Sequence, residues 1–438
     1  MKTQLNWFFL SGFILTMFTG CKPKYVEPTW SSGTLDLQRF VILGDGHSAG
    51  FMDDALYYEG QQLSLANFLS MQFEQVGAVP LTTRYVNENS VGSNASGRSR
   101  LILDFKEDCA GSSSLSPIRK AAQGDLSIIS VSIFTGSSNY RNFGIPGMGI
   151  LNITGANYAQ FNPFYARVAS SETSNVLADA VSNDPTFFGL YLGVEDALKY
   201  ARNGGATDNL PSIQDFTNTY TEVVEQLKAN GAKGFLMTIP DVTVLPYFRT
   251  IPYNGLNIKN EEDATLLNNI FAPLGMSFNV GPNSFTITDP EANEFQVRQI
   301  LEGEHLLLSI PLDSVKCFKL GSLYPFRNEF VLSLEEKNYL KDRVDAYNVA
   351  IRNLAATHGL ALVETNALYE KMFSGFQFNG VKFSTQFISG GCFSLDGIHL
   401  NGKGNAFLTN ACLNAINDYY STQIPILNPL KFNGIRLP

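Results

Sequence analysis

The sequence has fewer basic than acidic residues, and it has few histidines. Its 438 residues carry 31 Lys plus Arg against 40 Asp plus Glu, a formal net charge of −9, so no basic surplus exists to bind nucleic acid. Only four histidines occur, and no two of them are spaced i, i+4 as in a common zinc motif. We therefore expect no nucleic-acid partner, no metal and no cofactor.

Long hydrophobic runs and internal repeats are also missing. Hydrophobic residues make up 44% and charged residues 16% of the chain, a composition that favours a folded globular protein over a disordered, collagen-like or coiled-coil one. The apolar run from Leu5 to Phe18 is shorter than the ~20 residues that a membrane-spanning helix needs. A protein with several membrane spans is therefore excluded, and no repeat of fixed period is visible.

The amino terminus has the pattern of an export signal. Lys2 precedes the apolar run, and Thr19-Gly20-Cys21 follows it. This ending resembles a bacterial lipobox, in which the cysteine is lipidated and becomes the first residue; the alternative is a buried helix that ends in Cys21. We predict a signal peptide over residues 1–20 and a flexible tether over residues 21–38, which are rich in Pro, Ser and charge. The product would be a globular body held at a membrane surface.

Residues 39–438 show apolar runs that alternate with helical patterns. The predicted strands are 39–43, 187–192, 234–239 and 360–363, and the predicted helices are 63–76, 213–229, 334–358 and 403–420. A strand, a helix and a strand joined by short links favour a right-handed crossover and a parallel sheet. The stretches 85–119 and 240–327 break this pattern, and we expect them to be insertions on one α/β domain.

Chemically active residues follow the predicted strands. In an open parallel sheet the ligand crevice lies at the carboxyl ends of the strands. Residues 44–50 follow the first strand, and residues 193–196 follow the strand that begins at Phe187. Near the carboxyl terminus, Asp396 and His399 are three residues apart, a spacing that lets one turn aim both at the crevice. An Asp that orients a His base is two thirds of a serine-hydrolase triad.

With these motifs the chain resembles the SGNH, or GDSL-type, hydrolases, and closely the lipoprotein version found in Bacteroidota. In that group the first block reads GNSLTAGF and is followed by a GxLY..GQ stretch. The matching segments here are 44–51, 55–61, 142–147, 231–243 and 396–399. The resemblance runs from Phe40 to Asn417 and implies a flavodoxin-like, three-layer α/β/α fold with a parallel sheet and large insertions. It also implies that Gly147 donates a backbone N–H to the oxyanion.

Two positions depart from the family pattern. The family's nucleophilic serine is replaced by Gly46, and its oxyanion-hole asparagine by Glu195, whereas Gly147, Asp396 and His399 remain. Loss of the serine in a comparable triad costs on the order of 10⁶ in rate, and loss of one oxyanion donor on the order of 10² to 10³. A carboxylate at the second position would oppose the oxyanion unless it were protonated or turned away. We predict that ordinary ester hydrolysis has been lost.

Two nearby residues are alternative nucleophiles. Ser48 lies two positions after Gly46, about 200° around a helix axis from it, which would turn its hydroxyl away from the crevice. Its simplest interpretation is a hydroxyl at a helix amino terminus. His47 as a covalent nucleophile is a second alternative. The Asp396–His399 pair would then be either a base with its orienting carboxylate or a relic.

These residues leave two functions open. The first is a non-catalytic, lipid-anchored interaction subunit at the outer membrane, for which the resemblance implies a barrel-type transport or assembly partner. The alternative is a lipolytic or carbohydrate ester hydrolase that uses Ser48, or a rearranged nucleophile, with His399 and Asp396. Neither the membrane leaflet nor the substrate can be read from the residues.

Three smaller predictions concern cysteines and isolated polar residues. With Cys21 lipidated, four cysteines remain in the body, and their three possible pairings stay open; they are Cys109, Cys317, Cys392 and Cys412. Asp53-Asp54 is predicted to form a solvated turn. His358 is predicted to end a helix, where a cation suits the helix dipole, and His305 lies in an insertion.

Overall fold

The computed structural model describes residues 29–130, 139–207 and 210–438. The predicted signal peptide, Cys21 and the first part of the predicted tether lie outside the described residues. Among the helices of the described residues, none is both long enough and apolar enough to cross a membrane.

A parallel sheet forms the centre of the body. Its strands are β1 (Phe40–Gly44), β2 (Asn142–Gly144), β3 (Phe187–Tyr191), β4 (Lys233–Met237) and β5 (Ala361–Val363). They lie in the order β5-β4-β3-β1-β2, and all neighbouring pairs are parallel. Every residue of β1 and β3 is buried, as expected for a parallel sheet that is covered on both faces. The predicted α/β fold with a parallel sheet is confirmed.

Helices flank this sheet. In chain order they are α1 (Gly46–Ala49), α2 (Tyr58–Gln62), α3 (Leu65–Glu74), α4 (Pro163–Ala166), α5 (Val176–Val181), α6 (Val194–Arg202), α7 (Ile213–Lys228), α8 (Pro246–Arg249), α9 (Glu261–Phe271), α10 (Leu312–Phe318), α11 (Leu334–His358), α12 (Thr365–Ser374) and α13 (Gly402–Tyr420). One group of packed helices contains α7 and α11, and another contains α3 and α13. This arrangement agrees with the predicted α/β/α layers.

The long helices begin and end where their sequences predict. The Ser333 hydroxyl accepts a hydrogen bond from the Glu336 amide, and the Glu336 carboxylate accepts one from the Ser333 amide, a capping box that starts α11. The helix ends at His358, as predicted, because Gly359 takes a left-handed conformation with φ of 63°. In the same way the Ser212 hydroxyl accepts from the Asp215 amide and starts α7.

The two predicted insertions contain antiparallel strands. The first includes a hairpin of Leu101–Glu107 with Ser113–Arg119. The second contains the pairs Leu256–Ile258 with Gly281–Asn283 and Thr286–Thr288 with Val297–Gln299. Its strand His305–Leu306 pairs with Val331–Leu332, which follows the predicted end of the insertion. A further hairpin, Phe376–Phe378 with Val381–Phe383, follows α12. The second insertion has apolar clusters of its own, one around Phe285 and Phe326.

A disulfide joins the two insertions. Cys109, in the turn of the first hairpin, is bonded to Cys317 in α10, across 208 residues of sequence. Two ion pairs flank the bond, Lys106 with Asp313 at 3.0 Å and Lys316 with Asp108. Cys392 and Cys412 are buried free thiols. The pairing that the sequence left open is therefore Cys109 with Cys317.

The second part of the predicted tether belongs to the folded body. The backbones of Ser31 and Gln423 exchange two hydrogen bonds, with N–O distances of 3.2 and 2.9 Å. Leu35 and Leu37 are buried in the main core. The boundary predicted at residue 38 is corrected accordingly, because the chain is already packed from Ser31 onwards.

Candidate active site

A cleft of about 510 Å³ lies at the carboxyl edge of the sheet. Gly46 follows β1, Gly147 follows β2 and Glu195 follows β3, while His399 comes from the loop before α13. All four line the cleft. The crevice predicted from the strand ends is present, and it brings together residues that are far apart in the sequence.

Asp396 holds the imidazole of His399. Oδ2 of Asp396 lies 2.8 Å from Nδ1 of His399, and both side chains are less than a tenth exposed. Gly397, with φ of 71°, makes the tight turn between them. Burial opposes the charge on His399, but the carboxylates of Asp396, Asp45 and Glu195 outweigh it, so the pKa of His399 lies above its ordinary value of 6.5.

The Asp396 carboxylate is fixed by further donors. Its Oδ1 accepts from the Ile398 amide at 2.8 Å and from the Ser394 hydroxyl at 2.9 Å. Its Oδ2 also accepts from the Asp54 amide at 3.1 Å. Burial opposes the ionised form, but the His399 imidazole and the amides of Ile398 and His399 outweigh it and hold the pKa of Asp396 below its usual range. Asp396 is therefore an ionised, immobile partner for the imidazole.

The nucleophile position of the family carries no side chain, and His399 fills the space beside it. A Cβ placed on Gly46 would lie 2.8 Å from Nε2 of His399 and 3.2 Å from Cβ of Phe51. The first distance is shorter than van der Waals contact between carbon and nitrogen. A serine at residue 46 would therefore require the imidazole to move back.

A second Asp–His pair lies against the first, and the sequence reasoning missed it. Oδ1 of Asp45 caps α1 by accepting from the His47 amide at 2.9 Å, and it lies 3.1 Å from Nδ1 of His47. The His47 and His399 ring centroids are 4.9 Å apart. Burial opposes the charge of Asp45, but the two histidines outweigh it and lower its pKa. The Asp-x-His spacing of residues 45–47 is the sequence signal that predicts such a pair.

The negative charge of Glu195 is balanced by an ion pair within the protein. It is the second residue of α6, and its Oε1 lies 2.8 Å from Nη2 of Arg202 at the end of the same helix. The carboxylate is buried, but it lines the cleft. The neighbouring Asp196 turns elsewhere and accepts from the Ile150 amide at 2.8 Å. Burial raises the pKa of Asp196 to about 7.

Gly147 and Ser48 differ in their relation to the cleft. Gly147 lines it with φ of 80°, a conformation that glycine adopts without strain, and its carbonyl accepts from Lys199 Nζ at 2.7 Å. Ser48 is not among the cleft-lining residues. Its buried hydroxyl lies against β1, where a Cβ on Gly44 would be 2.3 Å away, and has no hydrogen-bond partner among the described residues.

The Asp53-Asp54 turn is half-buried and bonded to other parts of the protein, which corrects the prediction of a solvated turn. Asp53 donates its amide to the Ser394 hydroxyl at 3.0 Å, and Asp54 donates its amide to Asp396. The Asp54 carboxylate is bonded to Arg119 of the first insertion. Burial raises the pKa of Asp53 to about 6. The turn therefore supports the loop that carries Asp396, and it links that loop to the insertion.

The remaining histidine of the body, His305, lies in a short strand of the second insertion, where burial lowers its pKa to about 3. Within residues 29–130, 139–207 and 210–438, no group of three or more His, Cys, Asp or Glu side chains is arranged to hold a metal ion.

Comparison with known proteins gives one family. A family model described as GDSL-like lipase/acylhydrolase matches residues 40–412. No curated protein sequence matches the chain significantly. A solved structure that matches is that of LAE5, an α/β-hydrolase enzyme from the metagenome of Lake Arreo, Spain. It is 14% identical, with 67% of this chain and 88% of that chain covered and a TM-score of 0.31.

Proposed function

Because the chain belongs to the GDSL-like lipase/acylhydrolase family, we propose that it is a lipid-anchored member that no longer hydrolyses esters and instead binds a partner at the outer membrane. The family supplies the fold and the cleft, whereas function is set by the residues in the cleft. Three features of those residues support the loss of hydrolysis.

The distance between His399 and residue 46 carries the proposal. With Gly46 at the nucleophile position, the base has no hydroxyl to activate. Nε2 of His399 lies 2.8 Å from the place of the missing Cβ, so the imidazole has taken up space that a serine side chain needs. Loss of the serine alone would cost on the order of 10⁶ in rate.

Glu195 adds a second loss. An oxyanion hole stabilises negative charge with hydrogen-bond donors, and removal of one donor costs on the order of 10² to 10³ in rate. Glu195 offers only acceptors to the cleft, and its charge is balanced by Arg202 at 2.8 Å. The ion pair with Arg202 holds the Glu195 carboxylate at the cleft and does not draw it out of the cleft.

Ser48 does not offer a replacement. A nucleophile must lie within hydrogen-bond reach of its base and face the substrate. The Ser48 hydroxyl lies against Gly44 of β1 and does not line the cleft. No observation therefore favours the alternative of an ester hydrolase based on Ser48.

A serine-directed probe tests the loss of hydrolysis. We expect the folded protein to remain unlabelled by a fluorophosphonate, under conditions that label an active serine hydrolase. Labelling that disappears in Ser48→Ala would contradict the proposal and revive the enzyme.

The lipobox-like Phe18-Thr19-Gly20-Cys21 supports lipid anchoring, and the resemblance to Bacteroidota lipoproteins supports a barrel-type transport or assembly protein as the partner. A tagged protein purified from membranes in mild detergent is expected to bring this partner with it. Recovery of the protein alone would remove the support for an interaction subunit.

A further inference from the structure

The floor of the cleft offers two polar atoms whose hydrogen bonding is not satisfied within the protein. Glu195 is 4% exposed and His399 is 5% exposed, and both line the cleft. Oε1 of Glu195 is taken by Arg202, and Nδ1 of His399 by Asp396. For Oε2 of Glu195 and Nε2 of His399, no partner is found among the described residues. A ligand in the cleft can therefore bond to both.

The identity of these atoms selects the chemistry of the ligand. The family's asparagine donates an N–H to an ester oxygen, whereas the carboxylate of Glu195 only accepts. An ester carbonyl, which only accepts, would be repelled there. Hydroxyl groups fit, because an O–H can donate to Glu195 and a hydroxyl oxygen can accept from a protonated His399.

The charged side chains around the cleft are held by contacts within the protein. Glu195 is paired with Arg202 and Asp54 with Arg119, while the Lys199 ammonium donates to the Gly147 carbonyl at 2.7 Å. A charged ligand would have to compete with one of these contacts, and a group left unpaired in a buried place is costly. A neutral ligand leaves the three contacts intact.

The rim of the cleft carries a free aromatic ring. Phe161 lines the cleft and is 79% exposed. Its position is fixed by Asn162, whose Oδ1 accepts from the Phe164 amide at 2.9 Å and so starts α4. Phe164 and Phe51 form an adjoining wall, with ring centroids 6.1 Å apart. An apolar side combined with the convergent polar groups of Glu195 and His399 gives the cleft the mixed lining that is typical of a ligand site.

From this combination we propose that the cleft binds a neutral saccharide, whose ring packs its C–H face on Phe161 and whose hydroxyls bond to Glu195 and His399. A sugar ring has an apolar face and a hydroxyl-bearing edge, and the rim and the floor of the cleft match these two parts. The proposal rests on the proposed loss of hydrolysis, because a cleft that still hydrolysed esters would hold the ester group of its substrate beside His399.

A titration with defined oligosaccharides tests this site. The full-length protein is held in a detergent without a sugar headgroup and titrated with maltotetraose, cellotetraose and chitotetraose by saturation-transfer NMR. We expect at least one to bind. Phe161→Ala should weaken that binding at least tenfold, and so should Glu195→Met, which keeps the size but removes the acceptor. Phe105→Ala, at a phenylalanine 64% exposed on the first insertion hairpin, is the matched control and should stay within twofold.

The saccharide ring could belong to a free glycan or to the headgroup of a glycolipid. Micelles that carry a monogalactosyl lipid are therefore a fourth probe, which distinguishes a glycolipid from the free oligosaccharides. Binding of either source that depends on Phe161 supports the proposal. If the folded protein binds none of the four probes, which are the three oligosaccharides and the glycolipid micelle, the proposal is overturned. Equal loss of binding in Phe161→Ala and Phe105→Ala also overturns it. Hydrolysis of p-nitrophenyl acetate is measured in parallel. Activity that depends on His399 contradicts the proposed function, whereas absent binding without hydrolysis contradicts only the saccharide site.

Discussion

Nε2 of His399 lies 2.8 Å from the point at which a Cβ of residue 46 would stand. In a working serine–histidine pair the hydroxyl oxygen takes up the space between the imidazole and the backbone. Here the imidazole has closed that space, held by Asp396 on one side and by the rings of His47 and Phe51. The lost nucleophile and the position of the base are therefore coupled.

This coupling predicts the result of restoring the serine. Gly46→Ser should push the imidazole back and destabilise the fold by about 1–3 kcal/mol, the usual cost of overpacking a buried site. Thermal unfolding measures the change. Gly434→Ser is the control, because a Cβ there would meet no atom nearer than 3.7 Å. Equal melting temperatures for the two variants would contradict the crowding at Gly46.

Activity should need both family residues. We expect Gly46→Ser combined with Glu195→Asn to hydrolyse p-nitrophenyl acetate, and Gly46→Ser alone to be slower by on the order of 10² to 10³, the contribution of one oxyanion donor. Equal rates for the single and the double variant would show that Glu195 does not oppose the oxyanion.

Much of this site follows from the sequence because of one rule of parallel sheets. The apolar runs of β1 and β3 identify buried strands, and the residues after such strands meet at one edge. That reasoning brings Gly46 and Glu195 to the same cleft. β2 is not predicted as a strand because Phe143 is the one apolar side chain among its three residues, so that it forms no apolar run.

The parts that were not predicted depend on contacts between distant residues. Asp53 looked like a turn residue in solvent, yet its amide donates to Ser394, 341 positions away. A pair of aspartates with positive φ, 53° and 54°, makes this approach possible, and Asp is among the few residues that tolerate it. The link between Cys109 and Cys317 spans 208 positions and has no local signal either.

The carboxylates around His399 predict its titration. Its pKa should lie above 6.5, and Asp396→Asn should lower it, because Asp396 is the strongest of the three groups that favour the charged form. A raised pKa in the folded state adds stability that is complete below pH 6.5 and is lost as the pH rises through the folded pKa. Histidine NMR measures this, with His305 as an internal reference that stays neutral because its pKa is about 3. A wild-type pKa at or below 6.5 would contradict the electrostatics.

The buried carboxyl group of Asp196 predicts that the stability of the fold depends on pH. Burial raises its pKa to about 7, so the folded protein loses stability as the pH rises from the ordinary 3.8 towards 7. Asp196→Asn keeps an acceptor for the Ile150 amide but does not ionise. The free energy of unfolding of this variant should exceed that of the wild type by an amount that grows between pH 4 and pH 8, to about 4 kcal/mol at most. Urea unfolding at both pH values measures it, with the exposed Asp36→Asn as control; a difference independent of pH would contradict the raised pKa.

The state of the cysteines predicts how many thiols react with a thiol reagent, and this number also tests whether Cys21 is lipidated. Cys109 and Cys317 are bonded to each other, and Cys392 and Cys412 are free. Burial raises the pKa of Cys392 to about 12 and also raises that of Cys412, so neither should react with a thiol reagent in the folded protein. Unfolding without a reductant exposes these two thiols. The membrane-bound protein should therefore show two reactive thiols when unfolded, whereas a third would mean that Cys21 carries no lipid. Cys109→Ser is the control, since release of Cys317 should add one thiol in either case.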